Sequence, residues 1–428
     1  MSIAFLSLFF GLISGPCPVE LAVDGPAAAV EVRIDGRSAG RIEGPPWKAV
    51  VDFGPALLPH QITARAVDAQ GRELGRTDEW VNLPHPLTRV DIVLERQGNS
   101  PPIAAKVSWK NLAGDKLRSV SLSFDGLPVR LEADGRGVLP PHDLSSLHLL
   151  VAQVQFASYK SVKRELAYGG DYGSEVATEL TGVPVRVTAG ALPPAAQLGG
   201  WLTADGKPLA VDAIEKGPAQ LFVISAVTDK ELAKKSGKFG HLTGNLLAAG
   251  DQLLFVSPAA QRIASSAVRS DLFPITPPYP YGGGSDLFRM MRKTGLPDAS
   301  PEAFRLADAV ASSGLLAMTQ NRRRAVLLVL AGDEEDVSLY DPATVRRFLA
   351  ALRVPLFVWF LGTPKAGSTE AAWGAEEVVQ TWHLASATGH IRKELDAQRI
   401  VMVDGRLLPQ SIALSPKASG VELVGGAP

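Results

Sequence analysis

The chain has 428 residues, 46% hydrophobic and 20% charged, which is apolar material for several cores and unlike a disordered chain. Its 43 Lys and Arg nearly balance 44 Asp and Glu, so no global field exists to hold nucleic acid or an anionic membrane surface, and neither partner is expected. Cys17 is the only cysteine, which excludes an internal disulfide and leaves stability to packed cores.

Ile3 to Ile13 is an apolar run too short to span a bilayer and of signal-peptide length. Residues 1–16 are therefore read as a signal peptide and the mature protein as secreted or periplasmic, with no integral membrane span, although the usual positive flank before the run is missing. Ser14-Gly15-Pro16-Cys17 makes a poor lipoprotein box, because Pro16 stands where a small flexible residue is usual. An unpaired thiol beside a cleaved leader is the plainer reading.

Val30 to Ile34, Ala49 to Phe53 and Ile62 to Val67 alternate with period two, which puts apolar side chains on one face of an antiparallel sheet. Asp35-Gly36 and Ala69-Gln70-Gly71 supply turn residues that tolerate positive φ. An immunoglobulin-like β-sandwich is expected over residues 18–97, without the Cys-Trp-Cys signature. The order then returns. Leu122-Ser123-Phe124-Asp125-Gly126 matches Val32-Arg33-Ile34-Asp35-Gly36, and His148 to Val154 matches His60 to Ala66, so a second, related sandwich is expected over residues 102–190. His60 and His148 are read as structural residues of a repeated strand start rather than as paired ligands. Trp47 and Trp80 are of a type that builds carbohydrate platforms, but core or hairpin packing explains them more simply.

After Ala189 to Pro194, read as a linker, the period changes. Leu221 to Ile224, Gln252 to Val256, Ala325 to Leu330 and Leu356 to Leu361 are continuous apolar runs, as in parallel strands covered on both faces. Helices are expected over Asp229 to Ala249, Pro301 to Met318 and Pro342 to Arg353, with Asp341 as N-cap and Pro342 at N1 of the last. The alternation predicts an α/β doubly wound sheet over residues 197–415, followed by a tail, 416–428.

Arg323 to Asp336, then a helix, then Arg353 to Val358 and Gly362, resembles the fourth and fifth strands of von Willebrand factor A domains. Ala249-Gly250-Asp251 before Gln252 is similar to that family's turn into its second strand, and sandwiches before such a domain resemble exported bacterial proteins related to it. The resemblance implies Mg²⁺ at the carboxyl ends of the strands, held by an Asp-x-Ser-x-Ser motif, a Thr and a further Asp. The corresponding positions here are Ser225, Val227 and Asp229, then Ser285, then Ala331, so two positions have lost their oxygen atoms and the leading carboxylate has become a hydroxyl. Asp229, Asp333, Glu334, Glu335 and Asp336 are carboxylates near the place, but an acidic run after a strand is usually a solvated loop or helix start.

No nucleophile elbow, metalloprotease helix, phosphate-binding loop or dinucleotide fingerprint is present. His383 and His390 lie two helical turns apart without a third ligand. The chain is accordingly read as a non-enzymatic protein-binding or scaffold protein with no metal, no cofactor and a degenerate, metal-independent A-like domain. The contact candidates are Asp229, Tyr279, Tyr281, Ser285, Asp333 and Glu334, in loops at the usual end of the sheet. The rival reading is a carbohydrate-binding or enzyme-accessory protein acting through the sandwiches.

Overall fold

The computed structural model describes residues 2–7, 9, 11–84, 88–95, 100–111, 116–156, 161–169, 172–176, 180–227, 246–259, 261–264, 269–276, 278–280, 287–292, 304–319, 322–330, 335–361, 372–374 and 384–425. They form two compact units: Met1–Pro84 with Thr181–Val403 and Leu407–Pro428, and His85–Leu180 with Asp404–Arg406.

The first unit opens with a sandwich. Strands Ser2–Phe5, Pro16–Asp24 and Lys48–Asp52 make one sheet, and Arg37–Ile42, Ala29–Ile34, His60–Val67 and Glu73–Val81 make the other. Alternate residues such as Val30, Val32, Ile62, Ala64 and Ala66 turn into the common core, as the period of two requires. The run read as a leader has a place here: Ser2–Phe5 pairs with Leu21 to Asp24, and Phe9 is buried among Phe5 and Phe53. Hydrophobic content alone does not distinguish a cleaved h-region from an edge strand that closes a core.

The second unit repeats the plan. Its larger sheet runs Leu127–Val129, Leu117–Phe124, Leu147–Phe156, Ser161–Gly169, Tyr172–Val176, and its smaller sheet Arg136–Val138, Ala104–Asn111, Thr88–Glu95. The strand order about the Asp-Gly hairpin is that of the first sandwich, in agreement with the duplication read from the sequence.

The first unit also holds a five-stranded sheet in the order β3-β2-β1-β4-β5, where β1 is Gln220–Ser225, β2 Gln252–Val256, β3 Tyr279–Pro280, β4 Arg324–Leu330 and β5 Leu356–Phe360. All neighbours are parallel except β3, which runs antiparallel to β2. The helices are α1, Leu287–Arg292; α2, Leu306–Met318; α3, Pro342–Ala351; and α4, Leu384–Ala397. Even-numbered residues of β4 face α2 and α3, odd-numbered ones face α1 and α4, so both faces are covered and the strands read as unbroken apolar runs. Asp341 caps α3 as expected, its carboxylate accepting from the Thr344 N–H at 2.8 Å. The helix expected over Asp229 to Ala249 lies mostly outside the described residues, and the stretch from Leu246 to Ala249 is not helical.

Two boundaries differ from expectation. Strand Leu180–Val187 pairs with Val421–Leu423 and shares a four-stranded sheet with Val211–Glu215 and Gln398–Asp404. That sheet packs its Val183, Val185, Val401 and Val403 against Leu202 and Ile412 of a second sheet, Lys207–Pro208, Leu202–Ala204, Ile412–Leu414. Hence residues 180–215 and 398–425 are one small β-module, and the parallel sheet is inserted between its strands. The stretch read as a linker follows strand Leu180–Val187 within this module, and the stretch read as a tail supplies its strand Val421–Leu423, more than two hundred residues away in sequence. The first sandwich is not separate either: Leu57, Trp80 and Leu83 sit in the same core as Phe222, Leu306 and Val326. Trp80, 6% exposed, is thus a packing residue, and Trp47 packs against the sandwich core.

Candidate functional site

The contact residues expected from the sequence belong to the carboxyl ends of the parallel strands, beside β1 and β4, where sheets of this kind generally place ligands. Ser225 closes β1, and its hydroxyl accepts from the Val227 N–H at 3.1 Å. Ala226 and Val227 are 2% and 7% exposed and belong to the two cores. Asp336 accepts from the N–H groups of Leu306 (2.9 Å) and Ala307 (3.2 Å), so it serves the free amides at the start of α2. Asp308 is held by Arg305 and by the backbone of Leu339 and Tyr340. Of the predicted contact residues, Asp229, Tyr281, Ser285, Asp333 and Glu334 lie outside the described residues, as does Ala331. Tyr279, expected as an exposed contact, is half-buried in β3, edge-on to Phe255 at 6.1 Å. Pairing with β2 turns that ring onto the sheet.

The opposite ends of the same strands carry a buried polar cluster. The Asp251 carboxylate, 2% exposed, accepts from the N–H groups of Ala219 (2.7 Å) and Ala248 (3.0 Å) and pairs with Arg323 at 3.2 Å. Arg323 also donates to the carbonyls of Gly217 and Leu395. The cluster fastens the starts of β1, β2 and β4 and the end of α4 together, which is a folding role. Arg324 beside it is 1% exposed, with Nε and one terminal nitrogen unpartnered among the described residues, and burial pushes its guanidinium down to about 10.

Each sandwich holds a histidine against its Asp-Gly turn. Asp35 and Asp125 have φ of 49° and 48°; their carboxylates accept from His60 (2.7 Å) and His148 (2.8 Å) and from the next N–H, of Gln61 and Leu149. Both bonds go to the turn, so each histidine fastens its Asp-Gly turn, while Nε2 of His60 is buried without a partner among the described residues. His148 has a second acceptor, the Asp143 carbonyl at 2.7 Å. Burial lowers its ring, but these two acceptors outweigh burial and leave the pKa raised; burial raises Asp125, but His148 and the Leu149 N–H outweigh it and leave that pKa lowered. Tyr168 and His142 hydrogen-bond at 2.8 Å in the same aromatic cluster.

The feature absent from the expected sites is a groove of about 1620 Å³ at the β5 edge of the sheet. Its walls carry Arg186, Arg346, Arg347, Arg353 and Lys393 against Glu394 and Glu422. A near-neutral chain conceals this local excess; the visible signals were Arg346-Arg347 and Arg392-Lys393 on two helices, which only the fold brings together.

No family model matches the chain, and no curated protein does. Among solved structures, it is similar to the central fibronectin-III array of RIM-binding protein at 11% identity, over 45% of this chain and 80% of that one, with a TM-score of 0.23. The fibronectin(III)-like modules of Clostridium thermocellum CbhA match at 13% over 40% and 94%, with a TM-score of 0.16, and human COPII-coat protein Sec24c at 8% over 46% and 40%, with a TM-score of 0.26. Function therefore has to be argued from this chain's own residues.

Proposed function

We propose that the chain is an exported, non-enzymatic binding or scaffold protein whose inserted α/β layer is related to von Willebrand factor A domains and engages a protein partner without a bridging metal. The strand order β3-β2-β1-β4-β5, with helices on both faces, supports the doubly wound reading. The observation that carries the metal-independent part is the end of β1. Ser225 spends its hydroxyl on the next turn, and the neighbouring Ala226 and Val227 are core residues, so this strand offers a cation almost nothing in return for its bound water.

The test is a melting scan of the full chain in EDTA and in millimolar Mg²⁺, Mn²⁺ and Ca²⁺. A ligand of the native state at a hundredfold excess over Kd stabilises by about 2.7 kcal/mol, which such a scan detects readily. No ion-dependent shift is expected. A saturable rise that Asp229→Ala or Asp333→Ala abolishes would establish a relocated metal site and sink the metal-independent reading. Partner recognition is tested separately, by capture from an envelope extract and then reconstitution of the purified pair in EDTA.

A further inference from the structure

We propose that the loop of residues 140–146 in the second sandwich is a proton-operated latch, shut on the imidazolium of His148 and released when that ring loses a proton. The ring, 8% exposed, stands at the head of strand Leu147–Phe156 with an acceptor at each nitrogen. Nδ1 lies 2.8 Å from the Asp125 carboxylate of the Asp-Gly turn, and Nε2 lies 2.7 Å from the Asp143 carbonyl of the loop. A backbone carbonyl can only accept. Asp125 also accepts from the Leu149 N–H at 2.7 Å, and with His148 this holds the carboxyl below its ordinary value, so it too is an acceptor. Both bonds therefore require both ring hydrogens, which only the charged ring has. The duplicated sandwich supplies the comparison: His60 keeps the clasp on Asp35 at 2.7 Å, but its Nε2 is buried without a partner among the described residues, so the first copy has the clasp and no latch.

Loss of one proton falls unequally on the two bonds. Nδ1 faces a full negative charge and Nε2 a neutral carbonyl, so the charge-assisted bond to Asp125 is kept and Nε2 gives up its hydrogen. Two lone pairs then oppose each other across the 2.7 Å contact with Asp143, and the loop has to move away. The other titratable groups around His148 among the described residues are Asp143 and His142 of the loop and Tyr168 of strand Ser161–Gly169. The Asp143 carboxylate accepts from the Ser145 N–H and hydroxyl and adds negative charge that favours the imidazolium. His142 donates through Nδ1 to the Pro140 carbonyl at 2.8 Å and meets the Tyr168 hydroxyl through Nε2 at 2.8 Å. A hydroxyl both donates and accepts, so that tie survives either charge state of His142 and does not set the latch. The raised pKa of His148 gives the sign: shut below the ordinary 6.5, released as pH rises through the higher folded value. Release uncovers Phe124 and Tyr168, 5% and 1% exposed, against which the His142 ring now rests with centroids 4.9 and 5.7 Å away.

The experiment follows cleavage of the full chain by thermolysin before Leu144, half-buried in the shut loop, between about pH 6 and pH 9. Each rate is divided by that of a free peptide of the same sequence, which removes the protease's own pH dependence and leaves the opening of the loop. Normalised cleavage should rise at least about threefold through a step above the ordinary histidine value. In the chain labelled with ¹⁵N-histidine, the His148 ring should titrate at the same midpoint, with Nε2 as the nitrogen that loses its proton. His148→Gln, whose amide donates to the Asp143 carbonyl at every pH, should abolish the step. Asp125→Asn tolerates the φ of 48° and still accepts from the Leu149 N–H, so it should fold, and it should move the step to lower pH. A cleavage rate without a step overturns the proposal, as does a step that persists in His148→Gln or stays in place in Asp125→Asn. Loss of the proton from Nδ1 instead of Nε2 would overturn it as well, because the bond to the loop would then be the one that is kept.

Discussion

Asp251→Ala removes the carboxylate that joins the starts of β1, β2 and β4, and its cost can be worked from the contacts. Arg323, side chain 5% exposed, would lose its buried counter-charge and keep only the 44% exposed Asp396, at 3.7 Å, as a carboxylate partner. Breaking such a pair costs about 3–5 kcal/mol, and the lower end applies because the carbonyls of Gly217 and Leu395 still accept from it. The N–H groups of Ala219 and Ala248 would also lose their acceptor, at about 1 kcal/mol each, for a total of about 5 kcal/mol. Asp251→Asn, which keeps one acceptor oxygen, should cost about half of that. The double variant Asp251→Ala, Arg323→Met should be less destabilised than Asp251→Ala alone, because no buried charge is then left unpaired. Urea unfolding of the full chain, followed by hydrogen exchange of the β1 and β2 amides, reads each value. A cost for Asp251→Ala below about 1.5 kcal/mol, or a double variant worse than the single by the full cost of Arg323→Met, would refute the assignment of Asp251 as the counter-charge.

Arg324→Met should leave stability unchanged or raise it, since the buried guanidinium has unpartnered nitrogens and a hydrocarbon of similar length does not; a loss above about 2 kcal/mol in urea would point to a partner for that charge. For the His148–Asp125 pair, the raised histidine contributes stability that is complete below its ordinary value of 6.5 and disappears as pH rises through the higher folded value. The lowered aspartate contributes stability present above its ordinary 3.8 and lost as pH falls through the lower folded value. Exchange protection of strand Leu147–Phe156, corrected for intrinsic rates, should therefore be greatest between those two ordinary values and flatten on its alkaline side in His148→Gln. Gly135→Ala should destabilise the second sandwich by at least about 1–3 kcal/mol, because φ is +83° and the new Cβ would lie 2.4 Å from the Val107 carbonyl oxygen; a neutral result in thermal unfolding would contradict that close approach. A fragment of residues 197–415 should aggregate or show no cooperative melt, since it lacks strands Leu180–Val187 and Val421–Leu423 and the Leu57, Trp80 and Leu83 contacts.

Local periodicity was enough to locate much of the architecture. Alternation in Val30 to Ile34, the repeated Asp-Gly hairpins and the apolar runs of β1, β2, β4 and β5 are written in adjacent residues, because side-chain direction follows directly from backbone period. The Asp341-Pro342 cap and the structural role of His60 and His148 were legible for the same reason: each acts on backbone or on a turn of its own motif. What the sequence could not decide depends on distant partners. The pairing of Leu180–Val187 with Val421–Leu423 turns a supposed linker and tail into one module, and strand propensity does not name a strand's partner. Tyr279 reads as an exposed aromatic between prolines until β3 lays it on Phe255. The groove was hidden for a further reason: its cations come from strand Leu180–Val187, from α3 and the residues just after it, and from α4, so only the tertiary structure sets them around one groove.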